Sequence, residues 1–407
     1  MTTAEIVETN VLGTYARAPL TLVRGQGVRV WDENGTEFRD FTTGIAVNTL
    51  GHAHPYYTRK LQEQAEKLVH TSNLFTNTEQ ARLAERLVQR AGPGRIVFGN
   101  SGAEANEFLI KLGRLYGTQT SGGEGRRYRI LTALNSFHGR TYGGMSATPQ
   151  AKVQAGFGPL VPGFAHAPLN DLAAFAALVD DQTIAILVES IQGEGGIHSC
   201  TPGFLQGLRQ LCDERGLLLL VDEVQCGIGR TGAFFAFEAS GITADAIGMA
   251  KGLGGGFPIG ACWVAEKHIK LFKPGMHGST YAGSPLACAA ANAVLDVLEQ
   301  EDLIGHVNAL APGFRNQLDA LVARYPQVLS GVRGRGFLIG LGLRAPYEAA
   351  AVIAALRAEG LLCPAAGTQT VRLLPPLNVT AEELDDAAQR IDRALAKLAA
   401  PAGAAGI

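Results

Sequence analysis

The sequence predicts an α/β fold: a mostly parallel sheet flanked by helices, with a smaller α+β unit drawn from the two ends of the chain. Three observations predict it. From Arg95 onward, short apolar runs alternate with helical stretches, the pattern of strands joined by crossovers. The run Leu217 to Val221 is apolar throughout and stops abruptly at Asp222-Glu223, which reads as a strand buried on both faces. Beyond Glu299 the pattern becomes helices with only short strands between them. The expected division is 1–46 as the N-terminal part of a small domain, 47–298 as a large domain, and 299–407 as the rest of the small one.

The elements follow in order. Val23 to Gly27 and Asp32 to Gly35 are turn signals around Val28 to Trp31 and Glu37 to Asp40, an antiparallel meander. The loop Gly44 to Pro55 contains His52 and His54. Without a third ligand nearby, they read as loop packing rather than a metal site. Helices are predicted from Tyr57 to about His70 and from Glu79 to about Arg90. Ile96-Val97-Phe98 leads through Asn100 to Asn106 into a helix from Glu107 to Tyr116. Strands Ile130 to Leu134 and Ile184 to Val188 lead into polar loops at Ser136 and Glu189. A helix from Gly203 to about Arg215 precedes the Leu217 strand, and Ile247 to Ala250 and Ile259 to Val264 are further strands. The helix Ser284 to about Glu299 carries Ala287, Ala290 and Ala291 on one face, which lets a neighbour approach closely. The last helices are Leu303 to Arg324, Glu348 to Gly360 and Glu382 to Ala399, with strands Gly336 to Leu341 and Thr370 to Leu374 between them. The tail Ala400 to Ile407 reads as frayed.

Bulk properties exclude several classes. The 407 residues are 46% hydrophobic, enough for a sizeable core, and the net charge of -2 comes without a basic cluster. Neither nucleic acid nor an anionic membrane surface is indicated. No apolar run approaches a membrane span, and the start Met1-Thr2-Thr3-Ala4-Glu5 is not a secretion signal. The six cysteines are scattered without a C-x-x-C pair, so reduced thiols in a cytoplasmic protein are expected, with no metal.

The chemistry is read from the strand ends, where open α/β sheets bind ligands. Asp222 ends a buried strand, which is costly unless a cation meets it. Lys251 follows Ile247 to Ala250 and precedes Gly252, Gly254, Gly255 and Gly256, which let backbone pass close to whatever the amine holds. A lysine that can form a Schiff base and an acid for a ring nitrogen suggest pyridoxal phosphate. The rival, a P-loop ATPase, fails because no lysine is followed by Ser or Thr. Gly102 and Ala103 open a helix, an anion site suited to a phosphate, although an ordinary glycine turn reads the same way. Phe137 suits stacking on a flat ring, or plain core packing. Arg140 offers a planar fork for a substrate carboxylate, or a surface salt bridge.

With Asn100 to Asn106, Phe137 to Thr141, Asp222 to Gln225 with Gly227, Gly229 to Gly232, and Ala250-Lys251 before the glycines, the chain resembles the subgroup III aminotransferases of the fold-type I pyridoxal phosphate enzymes. The resemblance spans about Tyr15 to Leu398 and implies a large domain with a seven-stranded type of sheet. It implies that Lys251 holds the cofactor covalently and carries the proton, while Asp222 keeps the ring nitrogen charged. Glu223, Val224 and Gln225 are implied cofactor contacts, with Gln225 on the ring hydroxyl. Gly102 and Ala103 would hold the phosphate, Phe137 would stack on the ring, and Thr280 would reach the phosphate of a neighbouring subunit, implying a homodimer with shared sites. Arg140 and Ser279 would bind substrate. Arg372 resembles the family's second arginine and Glu194 the glutamate that covers it, an implied switch between the two substrates. Gly44 to Asn48 and His277 to Tyr281 favour N2-acetylornithine as donor, with 2-oxoglutarate as acceptor. Succinylornithine, ornithine, GABA or a carrier-linked lysine are alternative donors, and a non-catalytic cofactor-binding protein, or a lyase or mutase, the rivals of another class. Two departures stand out. Ser190 replaces a usual proline, which would loosen the loop carrying Glu194, and Gly248 replaces a common threonine.

Overall fold

The structure, a computed structural model, describes residues 1–400. The tail expectation from residue 401 onward lies outside the described residues. The N-terminal meander is β1 (Leu22–Gln26), β2 (Arg29–Asp32) and β3 (Glu37–Asp40). Then come β4 (Gly94–Gly99), β5 (Arg129–Ala133), β6 (Phe164–Ala167) and β7 (Thr183–Glu189). A short hairpin, β8 (Ile191–Gln192) and β9 (His198–Ser199), precedes β10 (Leu218–Asp222), β11 (Ala246–Met249) and β12 (Gly260–Ala265). The C-terminal part adds β13 (Leu329–Arg335), β14 (Leu338–Leu343), β15 (Leu361–Leu362) and β16 (Thr370–Leu373).

The large sheet has seven strands in the order β4-β12-β11-β10-β7-β5-β6. Only β12 runs against the others. Its reversal follows from the connection: the glycine-rich turn after Lys251, with Gly255 at φ 58° and Gly256 at φ 119°, is too short for a parallel crossover. The remaining carboxyl ends share one edge, so Gly99, Ala133, Glu189, Asp222 and Met249 open onto the same crevice.

Every residue of β7 and β10 is buried. Alternation sends Leu218 and Leu220 to one face, with Leu109 and Leu112 of the helix Gly102–Ser121. Leu219 and Val221 face the other way, with Leu205 and Leu208 of the helix Pro202–Arg215. Burial of each such side chain contributes about 1.5–3 kcal/mol, so this two-sided core makes a rigid base for the strand ends. The N-terminal meander and the C-terminal part share a sheet, because β15 pairs parallel with β3 through Leu361 and Arg39.

The elements differ from expectation in places: Val23 to Gly27, read as a turn signal, lies largely in β1, which pairs antiparallel with β2. The helix expected to reach His70 spans Pro55–Ala65. The helix expected from Glu107 starts at Gly102 and runs to Ser121, stopping at Gly122 in the left-handed region. The expected Gly336 strand is β14, and β13 before it was missed, since Gly331 and Gly334 interrupt any apolar alternation. Also missed were β6, the two-residue strands, and the helix Thr3–Asn10, whose capping box pairs Thr2 with Glu5. His52 Nε2 lies 2.8 Å from Asp40 Oδ2, a loop contact.

Candidate active site

The parallel register sets Glu189, Asp222 and Gly248 side by side on β7, β10 and β11. Asp222 is 3% exposed, so its carboxylate depends on protein donors. Oδ2 accepts from Asn106 Nδ2 at 2.7 Å and lies 2.9 Å from His138 Nδ1, while Oδ1 accepts from the Val224 amide at 3.0 Å. A carboxylate has roughly four acceptor positions, so one remains for a ring N–H. His138 is fully buried, and its Nε2 has no partner among the described residues. Asn106 and His138 lie inside the sequence motifs, but the sequence alone assigns them no role. The structure makes them the residues that orient Asp222.

Lys251 adopts φ 44°, in the left-handed region, directly after β11. That backbone costs a non-glycine residue about 1–2 kcal/mol, and holding it there turns the lysine back over the strand ends. Burial lowers the pKa of its amine; Glu194 opposes the shift and Arg372 adds to it, leaving the net shift downward. A lysine so shifted keeps a larger neutral, nucleophilic fraction.

Gly102 begins its helix with Ser101 as N-cap, the Oγ accepting from the Glu104 amide at 3.2 Å. A β-carbon on Gly102 would lie 2.6 Å from Val224 Cγ1, so only glycine fits between the helix start and β10's end. The leading amides of Gly102 and Ala103 and the positive helix end suit a phosphate. Phe137 is half-buried, and its amide donates to Glu189 Oε1 at 2.9 Å. Arg140 is exposed, its guanidinium carbon 5.7 Å from the Phe137 ring centre.

Arg372, on β16, is 1% exposed and reaches across from the C-terminal sheet. Its Nη1 lies 2.7 Å from Glu194 Oε1, 2.7 Å from Gln225 Oε1 and 2.8 Å from the Gly193 carbonyl. Nη2 donates to the Ala365 carbonyl at 3.0 Å. Burial alone would raise Glu194; the Arg372 charge and hydrogen bond outweigh it and hold the carboxyl below its usual range.

Not every expected contact gathers here. Glu223 turns away from the crevice: its carboxylate accepts from Ser190 Oγ at 2.7 Å and from the Ala236 and Phe237 amides. Its side chain is therefore occupied by structure rather than free for a cofactor. Ser279 and Thr280 lie beside the outer flank of the helix Gly102–Ser121. Ser279 Oγ accepts from Asn100 Nδ2 at 2.9 Å, and Thr280 is exposed in a cavity of about 310 Å³ shared with Gly99, Glu104 and Glu107. Ser190 does not loosen its loop. Besides holding Glu223, it accepts the Cys200 amide at 2.9 Å through its carbonyl. A β-carbon on Gly248 would press Leu109 Cδ1 at 3.1 Å and lie 3.5 Å from Asn106 Oδ1, which has no partner among the described residues. Glu189, which sequence reasoning passed over, ties the Phe137 loop to the Glu194 loop, because its second oxygen accepts the Gly193 amide at 3.0 Å.

These buried acids give a pH prediction. Burial pushes Glu223 up to about 7 from an ordinary 4.5. Its folded form thus holds a proton longer than its unfolded form, so its contribution to stability is full below pH 4.5 and lost as pH rises through 7. The loss approaches roughly 3 kcal/mol. Thermal melts of Glu223→Gln across that range should fall less with rising pH than wild type; parallel slopes would show that Glu223 titrates normally.

The residues fit pyridoxal phosphate on their own terms. An anion-binding helix start closed by Val224, a buried carboxylate with one acceptor position left, and a desolvated amine converge on one crevice.

The sequence profile of class-III aminotransferases matches residues 13–395. The acetylornithine aminotransferase of Caldanaerobacter subterraneus subsp. tengcongensis is 46% identical over 95% of this chain and 98% of its own. The ornithine aminotransferase of Toxoplasma gondii superposes with a TM-score of 0.93 at 33% identity, over 97% of this chain and 94% of its own. The N-acetylornithine aminotransferase of Stenotrophomonas maltophilia superposes at 0.83 with 35% identity, over 97% and 98%.

Proposed function

This chain belongs to the class-III aminotransferases, and we propose that it transfers the terminal amino group of N2-acetyl-L-ornithine to 2-oxoglutarate, giving N-acetylglutamate semialdehyde and glutamate in arginine biosynthesis. The observation that carries the donor is the 46% identity with an acetylornithine aminotransferase over almost the whole of both chains. The closer superposition on an ornithine aminotransferase reports backbone shape, which enzymes of one family share whatever their donor.

The enzyme is pyridoxal phosphate-dependent, and the cofactor, when bound, supplies a carbonyl carbon for the amine and a ring that accepts electrons from the reacting carbon. The chain supplies the rest. Asp222, oriented by Asn106 and His138, holds a positive ring nitrogen. The amides of Gly102 and Ala103 anchor the phosphate, and Val224 closes that cradle. Phe137 would brace one ring face, and Gln225 would contact the ring hydroxyl. Lys251 Nζ would hold the cofactor's carbonyl carbon and, once free, would move a proton at the substrate carbon, a task its lowered basicity suits.

Arg372 and Glu194 form a switch. With the donor bound, Glu194 stays on Arg372 and neutralises it. The acceptor has two carboxylates: Arg140 takes one, and Arg372 takes the other once Glu194 swings out. Glu194, 27% exposed against 1% for Arg372, is the partner free to leave. Ser279, on the outer flank of the helix Gly102–Ser121 beside Thr280, would serve the substrate pocket of a neighbouring subunit. Glu194→Ala should change the ratio of donor to acceptor kcat/KM by about tenfold or more, one exchange of a charged partner being worth ~1.4 kcal/mol or more. An unchanged ratio would remove the switch.

The working unit is a homodimer with shared sites. Thr280, exposed on its own chain, would contact the neighbour's phosphate, and the exposed apolar residues Leu74, Phe75, Tyr142 and Tyr281 are the kind of surface a partner would cover. Residues 47–298 form the large domain, and 1–46 with 299–407 the small one, a division supported by the pairing of β3 with β15. A cytoplasmic location is part of the same proposal. Among the described residues, no helix is long and apolar enough to cross a membrane. A panel of N2-acetylornithine, succinylornithine, ornithine and GABA, each assayed with 2-oxoglutarate, tests the donor. A preference of about tenfold for ornithine or GABA, ~1.4 kcal/mol of differential binding, overturns it.

A further inference from the structure

The two arginines read as carboxylate sites stand on different sheets. Arg140 and Lys251 follow β5 and β11 of the seven-stranded sheet, whereas Arg372 lies on β16, in a three-stranded sheet with β13 and β14. A ligand that meets both arginines therefore needs the two sheets in register. The segment Phe41 to Thr49 joins them. Toward Arg372, Thr43 Oγ1 donates to the Leu374 carbonyl at 2.9 Å, and the Phe41 carbonyl accepts the Leu374 amide at 2.9 Å. Toward Lys251, Thr49 Oγ1 donates to the Gly252 carbonyl at 2.9 Å. Ala46 is buried between these ties, in one apolar cluster with Leu374 and with Ile191 and Ile197, which flank Glu194 in the chain. The segment is held in a backbone form it does not prefer. Thr43, Gly44, Ile45 and Ala46 have φ of 43°, 64°, 66° and 61°, four successive residues in the left-handed region, of which only one is glycine. Other L residues visit that region singly, and a β-branched one such as Ile45 rarely. Asp40, which is buried, holds the entrance. Its Oδ1 accepts from the Thr42 amide at 2.9 Å, the Thr42 hydroxyl at 2.5 Å and the Thr43 amide at 3.0 Å, while Oδ2 lies 2.8 Å from His52 Nε2. Strain of this kind persists only where the surroundings enforce it, and it collects around functional sites.

We propose that the left-handed turn Thr43–Ala46, locked by Asp40, is the strut that sets the Arg372 strand against the Lys251 turn, which makes Thr43 and Asp40 positioning residues for a substrate with two carboxylates. The inference rests on reading Arg140 and Arg372 as the acceptor's two carboxylate sites. It implies an asymmetry between the substrates. The donor has one carboxylate, carried by Arg140, and leaves Arg372 with Glu194. Both groups the donor needs, Arg140 and Lys251, belong to the large sheet, so it tolerates a small shift of one sheet against the other. The acceptor spans both arginines and does not.

Equilibrium binding of two unreactive ligands to holoenzyme, read by calorimetry with cofactor occupancy checked by absorbance, tests this. Glutarate has the acceptor's two carboxylates but no carbonyl to react, and N-acetyl-L-norvaline is the donor without its terminal amine. Thr43→Val keeps the shape and removes the hydroxyl. It should weaken glutarate binding by on the order of tenfold and leave N-acetylnorvaline binding unchanged. Thr43→Ser, which keeps the hydroxyl, should bind both ligands as wild type does. Asp40→Ala should reproduce the selective loss, and Ile45→Gly added to it should recover part of that loss, because glycine takes the left-handed form freely. Should Asp40→Ala fail to fold, the Thr43 pair decides alone. Equal weakening of both ligands, or a lower melting temperature with neither affinity changed, would make the turn merely structural and overturn the inference. The reading beneath it has its own control. Glu194→Ala, which removes the competing carboxylate, should tighten glutarate; an unchanged affinity there would remove Arg372 as a carboxylate site, and the inference with it. The two failures are therefore distinguishable.

Discussion

Replacing Lys251 by alanine should leave a folded protein that binds cofactor but turns over no amine, with kcat lower by about four powers of ten or more. The magnitude follows from losing two functions of one atom. Nζ is both the nucleophile that holds the cofactor and the base that moves the proton, and positioned proton transfer alone contributes about 10²–10⁴-fold. Cofactor binding should survive, because the helix start at Gly102, the Asp222 carboxylate and the Phe137 face do not depend on the lysine. Folding should survive as well. The variant removes a desolvated amine, and alanine tolerates φ 44° no worse than lysine does. Exogenous small amines should restore part of the rate, because the space left by the side chain lies in the crevice. Stopped-flow half-reactions with donor alone would check this: a Lys251→Ala enzyme within about tenfold of wild type would remove the lysine from the chemistry.

The second large effect is at Asp222. Asp222→Asn keeps shape and volume but removes the charge and turns an NH2 group toward donors. In the Oδ2 place the new NH2 meets both Asn106 Nδ2 and His138 Nδ1, and in the Oδ1 place it meets the Val224 amide. The ring nitrogen loses the charge that keeps it protonated, and kcat/KM should drop by about three powers of ten, in the range seen when a single preorganised electrostatic partner is removed. Asp222→Ala should be comparably inactive and also less stable, since it leaves two buried donors without an acceptor, at about 1–3 kcal/mol each. Comparing the two variants by thermal melting and by donor half-reaction separates the roles. Equal activity loss with unequal stability loss is the expected pattern. Retention of activity in Asp222→Asn would show that the carboxylate acts only as a hydrogen-bond acceptor.

The parts of the site that were legible in the sequence share one physical cause. A charged residue ending an apolar strand is costly to bury, so Asp222 after Leu218–Val221 and Lys251 before four glycines stood out against their surroundings. Glu189 ends β7 in the same way and is just as buried. It was overlooked because its job, joining the Phe137 and Gly193 amides, lies wholly in contacts 52 residues back and four residues on. The meeting of Asn106, His138 and Asp222 was invisible for the same reason, as was that of Gln225 with Arg372, 147 positions apart. In the fold, the strong runs of β7 and β10 were readable, whereas β6, β13 and the short hairpin were not, since half-buried or glycine-interrupted strands carry no clear period. Glu223 misled in the other direction. Its place next to Asp222 in the sequence suggested a shared task, but successive residues point to opposite sides, and its side chain faces Ser190 and the Ala236 loop.

The account stands on one amine holding one cofactor carbonyl, and borohydride reduction of the holoenzyme followed by peptide mass mapping tests this directly. The account predicts that the pyridoxyl group is fixed on the peptide containing Lys251, in a stoichiometry of about one per chain, and that the Lys251→Ala protein takes up none. A pyridoxyl group on a different lysine, or no covalent label on a protein saturated with pyridoxal phosphate, would contradict it.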